Sequence, residues 1–184
     1  SLDDIDAGVY AYVYNGVWNP ETCSPLDLIN GVLYTFDVDQ LDTEEPVRWS
    51  LVEQYADDGH DFRAFVYAPK EAVEPTYEYP GSTPKGAPVI QIPDVFEKNS
   101  FGEYIYQNDI IVSDAVVAMN YSTQTHRREI PLDFEHIYTA IQFKAGFDCT
   151  VEGISINGIR KGGDYVIGSG WKLDSQTHDY SMDI

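Results

Sequence analysis

At 184 residues the chain is long enough to bury a core without disulfides or metals, and it reads as one domain spanning 1–184. Its 43% hydrophobic and 23% charged residues exclude a disordered polymer. Eleven basic against 31 acidic residues leave a formal charge of −20, a surface that repels nucleic-acid backbones and anionic lipid headgroups.

The chain opens SLDDID, with neither an initiator methionine nor an apolar signal segment, and so reads as one from which a leader was removed or trimmed. The first strand is AGVYAYVYNGVW, where Val9, Ala11 and Val13 alternate with Tyr10, Tyr12 and Tyr14. Apolar bulk on both parities predicts a strand covered on both faces. GVLYTFDVD follows as a second strand, then the acidic loop DQLDTEEP, then RWSLVEQY as a further extended segment. HDFRAFVYAP places Phe62, Ala64, Val66 and Ala68 on one side and Arg63, Phe65 and Tyr67 on the other, with Pro69 ending the strand. Four prolines and two glycines in PTYEYPGSTPKGAP predict a loop over 75–88, and VIQIPDVF a strand after it. NDIIVSDAVVAMNYS suits a short helix or a buried strand, and its Val-Val-Ala run favours the strand.

In IPLDFEHIYTAIQFK, over 130–144, Leu132, Phe134, His136 and Tyr138 share one parity and Asp133 and Glu135 the other. That pattern predicts a strand that turns His136 inward, with a bulge before Ile141 and Phe143, whose parity is opposite. An inward histidine is a metal ligand, a general base or a core residue bonded locally. The last segment, TVEGISINGIRKGGDYVIGSGWKLD, alternates around glycines and ends with Trp171 in a last short strand. Many short strands about ten residues apart, separated by Gly, Pro, Asn and Asp, predict an all-β, two-sheet sandwich.

Chemistry-bearing motifs are scarce. No GxSxG elbow or phosphate loop occurs, and IGSGW is a glycine turn. DVDQLDTEE resembles a calcium loop at Asp37, Asp39 and Leu41, but Asp42 stands where the sharp turn needs glycine. Cys23 and Cys149 are either one bridge or two free thiols, and no Cys/His cluster suggests zinc. His60, His126, His136 and His178 do not pair at metal spacing. The expectation is therefore a non-enzymatic protein with no catalytic residues, no metal and no cofactor. Trp18, Tyr77 and Tyr79 are candidates for an aromatic platform that stacks on sugars.

Taken in order, RWS, FRAFVYAP, NDIIVSDAVVA, IPLDFEHIYTAIQF and VEGISINGI resemble the fimbrillin-like proteins of Bacteroidetes, the subunits of surface pili. In that family an aromatic "F-x-A-Y-x-P" strand precedes a "D-x-L-x-A" strand. An "L-x-F-x-H-x-L-x-x-I-x-F" strand and an isoleucine-rich strand ending in a tryptophan come next. Phe62 through Pro69, Asp109 through Val116, Leu132 through Phe143 and Ile154 through Trp171 match these in turn. The resemblance implies that Trp49, Phe65, Tyr67, Pro69, Leu132, Phe134, His136, Phe143 and Trp171 are structural hallmark residues, with His136 a core histidine. It implies a transthyretin-like Greek-key sandwich of about seven main strands, the N-terminal domain of a type V pilin. It also implies export as a lipoprotein precursor to the outer membrane or a cell-surface fimbrium, and assembly with other pilus subunits by strand addition. Host or bacterial surface receptors and glycans are further partners the family suggests. The family's second β domain is expected to be absent from this chain, and its removable leading strand short or absent.

Overall fold

The computed structural model describes residues 6–26, 30–35, 60–105, 108–118 and 132–183. Among them the chain is almost wholly β, with a single short 3-10 turn at Lys70–Ala72. The strands are β1 (Asp6–Tyr14), β2 (Asn30–Thr35), β3 (Asp61–Ala68), β4 (Thr76–Tyr79), β5 (Lys85–Ile92) and β6 (Ile111–Ala118). After these come β7 (Glu135–His136), β8 (Gly153–Arg160), β9 (Gly163–Val166), β10 (Gly170–Leu173) and β11 (Thr177–Asp183). They form three antiparallel sheets, ordered β2-β1-β3-β6-β7, β10-β9-β5-β4 and β11-β8. The two sheets expected from sequence are thus joined by a third, a ribbon of two strands.

The period-two segments set the centre of the large sheet. β1 and β3 pair from Gly8↔Tyr67 to Tyr14↔Asp61, and β3 pairs along its whole length with β6. Because apolar residues occupy both parities, both faces of β1 and β3 are buried. One face gives Tyr10, Tyr12, Phe65, Tyr67 and Val112 to a cluster shared with Val89, Ile90, Ile92, Tyr165 and Val166 of the four-stranded sheet. The other face carries Ala7, Val9, Ala11, Phe62, Ala64, Val66 and Ala68, against which Leu26, Leu132 and Phe134 pack. Each large aromatic ring buried in the first cluster stabilises the fold by about 2 kcal/mol. Tyr12 also ties the two sheets together, its hydroxyl donating to the Gly86 carbonyl at 2.7 Å.

The 75–88 segment is a hairpin instead of the expected loop. Its prolines are accommodated because β4 and β5 do not pair continuously. The register slips between Tyr77 and Tyr79, and the carboxylate of Glu78 accepts from the Ala87 N–H at 3.1 Å in place of a ladder bond. Gly86 takes φ +80 at that bulge, and a Cβ there would meet the Glu78 side chain at 2.8 Å. Pro88 sits beside the irregularity, where a missing donor is tolerated.

Of the strand predicted over 130–144, only β7 forms among the described residues 132–144, and it pairs with β6 at Ile111↔His136 and Val112↔Glu135. Ile137 and Tyr138 then turn together onto the first cluster, and no strand forms from Ile137 to Glu152. The expected bulge before Ile141 is thus a full departure from the sheet. Trp171 lies in a short strand as expected, but β11 follows it and pairs with β8. The extent of GVLYTFDVD beyond Thr35, the DQLDTEEP loop, the calcium-like residues Asp37, Asp39, Leu41 and Asp42, RWSLVEQY with Trp49, and His126 lie outside the described residues.

Candidate assembly surface

β6 is the strand that gives the large sheet its margin beyond β3. Its inner side is laddered to β3 from Ile111 to Ala118, yet its outer side carries only the two β7 pairs among the described residues. Val112, Ser113 and Ala115 are buried and Val116 is exposed. Leu132 and Phe134 rest against the alanine-rich face without joining the ladder. Of the four residues given one parity from sequence, Leu132 and Phe134 pack on the alanine-rich face, Tyr138 packs on the inter-sheet cluster, and His136 joins neither.

That placement corrects the reading of His136. Its side chain is 65% exposed, and Nδ1 lies 2.9 Å from an oxygen of the equally exposed Asp109. The neighbour Glu135 is exposed too, but its carboxylate accepts a hydrogen bond from the Tyr165 hydroxyl at 2.7 Å. Burial, then the Glu135 carboxylate itself, pushes the Tyr165 hydroxyl well above the ordinary phenol range. The sequence places Glu135 on the wet parity, and it is exposed; what the pattern did not show is its bond to Tyr165, 30 residues away.

Other hallmark residues divide by location. Phe65 and Tyr67 are fully buried in the inter-sheet cluster, and Pro69 follows β3 through a cis peptide bond. Trp171 packs on the same cluster and donates its indole N–H to the Ile137 carbonyl at 2.9 Å. Phe143 belongs to no core, with 54% of its surface exposed. The structure therefore brings Phe65, Tyr67 and Trp171 into one core and leaves His136 and Phe143 outside it.

The supposed sugar platform is dispersed. Trp18 packs edge-on against Tyr12, Tyr14 and Phe65, and the Arg63 guanidinium sits 4.5 Å above its ring. Tyr77 packs edge-on against Tyr10, and Tyr79 alone of the three is exposed. Arg63 also makes a two-point contact with Asp114, at 2.8 and 2.6 Å. Over that pair lies the IGSGW turn, where Gly168 has φ +83 and a Cβ would strike the Asp114 carboxylate. The Arg63–Asp114 link was not recognisable from sequence, for 51 residues separate its partners and only the β3–β6 register aligns them.

Cys23 and Cys149 are free thiols, which resolves the choice between bridge and thiols. Among the described residues no group of three or more His, Cys, Asp or Glu side chains is placed to hold a metal ion. None of their helices is long and apolar enough to cross a membrane. Comparison with family models, with curated proteins and with solved structures found no match to the chain.

Proposed function

We propose that the chain is a non-enzymatic structural and adhesive subunit of cell-surface pili, of the fimbrillin-like kind, joined to other subunits by β-strand addition. In this reading its layered sheets belong to a transthyretin-like Greek-key sandwich, and the protein is exported to the outer membrane or a surface fimbrium. The observation that carries the reading is the β6 margin. An eight-residue strand with a buried apolar lining has an outer ladder of only two pairs among the described residues. An incoming strand would gain main-chain hydrogen bonds along Ser113–Ala118 and set alternate side chains against a core already in place. The sequence resemblance supports the same role through Phe65, Tyr67 and Trp171, which the inter-sheet core uses.

Electron microscopy of the full-length, protease-treated protein tests this. We expect fibres or an open-ended ladder of oligomers that Val116→Lys abolishes while the melting temperature stays within a few degrees, because lysine on a sheet edge discourages pairing. A protein that stays monomeric at every concentration, or a Val116→Lys variant that polymerises like the parent, overturns the proposal. A glycan that binds saturably and is lost on Tyr79→Ala would favour a carbohydrate-binding module instead.

A further inference from the structure

Every residue from Thr139 to Glu152 is exposed, and none belongs to a strand. Yet Ile141, Phe143, Ala145, Phe147, Cys149 and Val151 alternate without a break against Gln142, Lys144, Gly146, Asp148, Thr150 and Glu152. This is the pattern of a strand with one packed face. Phe147 is 77% exposed and Ile141 60%, so the apolar parity lies in water along its whole length. A strand of this kind requires a partner edge, and the segment is laddered to none among the described residues.

The segment is also complementary to itself when reversed. Laid antiparallel on a second copy with Gly146 opposite Gly146, it sets Lys144 against Asp148 on both sides of the centre. The same register sets Ala145 against Phe147, Phe143 against Cys149, Gln142 against Thr150 and Ile141 against Val151. Opposite charges, small against large, and β-branched against β-branched are the cross-strand pairs that favour a ladder. Electrostatics restrict where two copies can meet. Each carries −20, so contact between most patches of their surfaces is repulsive, whereas residues 139–151 hold one lysine and one aspartate and sum to zero.

We propose that residues 141–151 form a homodimer interface, in which the segments of two copies pair as antiparallel strands about a twofold axis through Gly146. This contact is independent of strand addition at β6. An isologous pairing closes on itself and stops at two, whereas head-to-tail addition continues.

The test uses the full chain with Cys23→Ser and Cys149→Ser, carrying either Gln142→Cys or Thr150→Cys. On mild oxidation the mixture of the two proteins should cross-link rapidly to a dimer, and each alone should do so at least about tenfold more slowly, since only 142 and 150 face each other. Sedimentation of the native sequence should show a monomer–dimer equilibrium. Lys144→Glu should weaken it by about tenfold or more through like-charge pairing, and Lys144→Glu with Asp148→Lys should restore it. A native chain that stays monomeric, equal cross-linking of each variant alone and mixed, or a Lys144→Glu chain that dimerises unchanged would each overturn the proposal. A hairpin folded about Gly146 within one chain would give the same pairs, but the mixed variants would then stay uncross-linked, which overturns it as well.

Discussion

His136 and Glu135 sit next to each other on a two-residue strand, and only Glu135 is tied to a residue of the core. Both residues are exposed, yet the carboxylate accepts from the buried Tyr165 hydroxyl at the rim of the core, while the imidazole lies in solvent beside Asp109. An ion pair between two groups so exposed contributes roughly 0–1 kcal/mol. His136→Ala should accordingly change unfolding free energy by no more than about 0.5 kcal/mol, measured by chemical denaturation. A loss of several kcal/mol would put the ring back in the core. Elsewhere a glycine matters through what occupies its space: a Cβ on Gly8 would run into the Tyr67 ring, so the close β1–β3 approach depends on its absence.

The elements differ sharply in how much holds them. β1 and β3 are laddered on both sides and buried, whereas β8 and β11 are laddered only to each other among the described residues. Their pairs Met182↔Ile154 and Tyr180↔Ile156 leave the apolar side chains exposed or half-buried. Phe96 stacks on Tyr180 and meets the His178 ring at a tilt, and the Lys161 ammonium meets the Asp94 carboxylate at 2.9 Å. That contact, with the Phe96 N–H, holds Asp94 below the usual carboxylate range. Hydrogen exchange should therefore find β3 amides protected to the global unfolding limit and β8 and β11 amides opening far more readily. Equal protection in the two would show that the ribbon unfolds only with the body.

How much of this was legible follows from the same contrast. β1, β3 and β6 were readable because alternation or apolar runs persist over eight or nine residues. The β4–β5 hairpin was not, since prolines hide a strand whose ladder is interrupted by a bulge. β7 was over-extended because period two records a capacity for a strand and says nothing about whether an edge is available to pair with it. β11, THDYSMD, is too polar to stand out without its partner β8. Of the assembly surface, the aromatic core beneath it could be inferred, but the β6 margin could not, because an edge is a property of topology.

For the molecule as a whole, tyrosine supplies an unusual share of the core, and each buried hydroxyl is kept neutral by its surroundings. Burial pushes Tyr67 up to about 12, and Tyr10 and Tyr12 further still, with neighbouring acidic groups adding to the effect. In the unfolded chain these phenols ionise near pH 10. The folded state thus retains protons that the unfolded state releases, and stability present below about pH 10 falls as pH rises beyond it. A titration followed by phenolate absorbance should show these tyrosines ionising together with loss of β circular dichroism. Independent ionisation with the fold intact would contradict it. The two sides of β3 carry a last consequence. Phe65 and Tyr67 face the inter-sheet core, so shortening either opens a void; Ala64 and Ala68 pave the opposite side, where any larger residue jams. Neighbouring codons in this stretch are thus held by opposite pressures, one against shrinkage and the next against growth, and drift along it has little freedom in either direction.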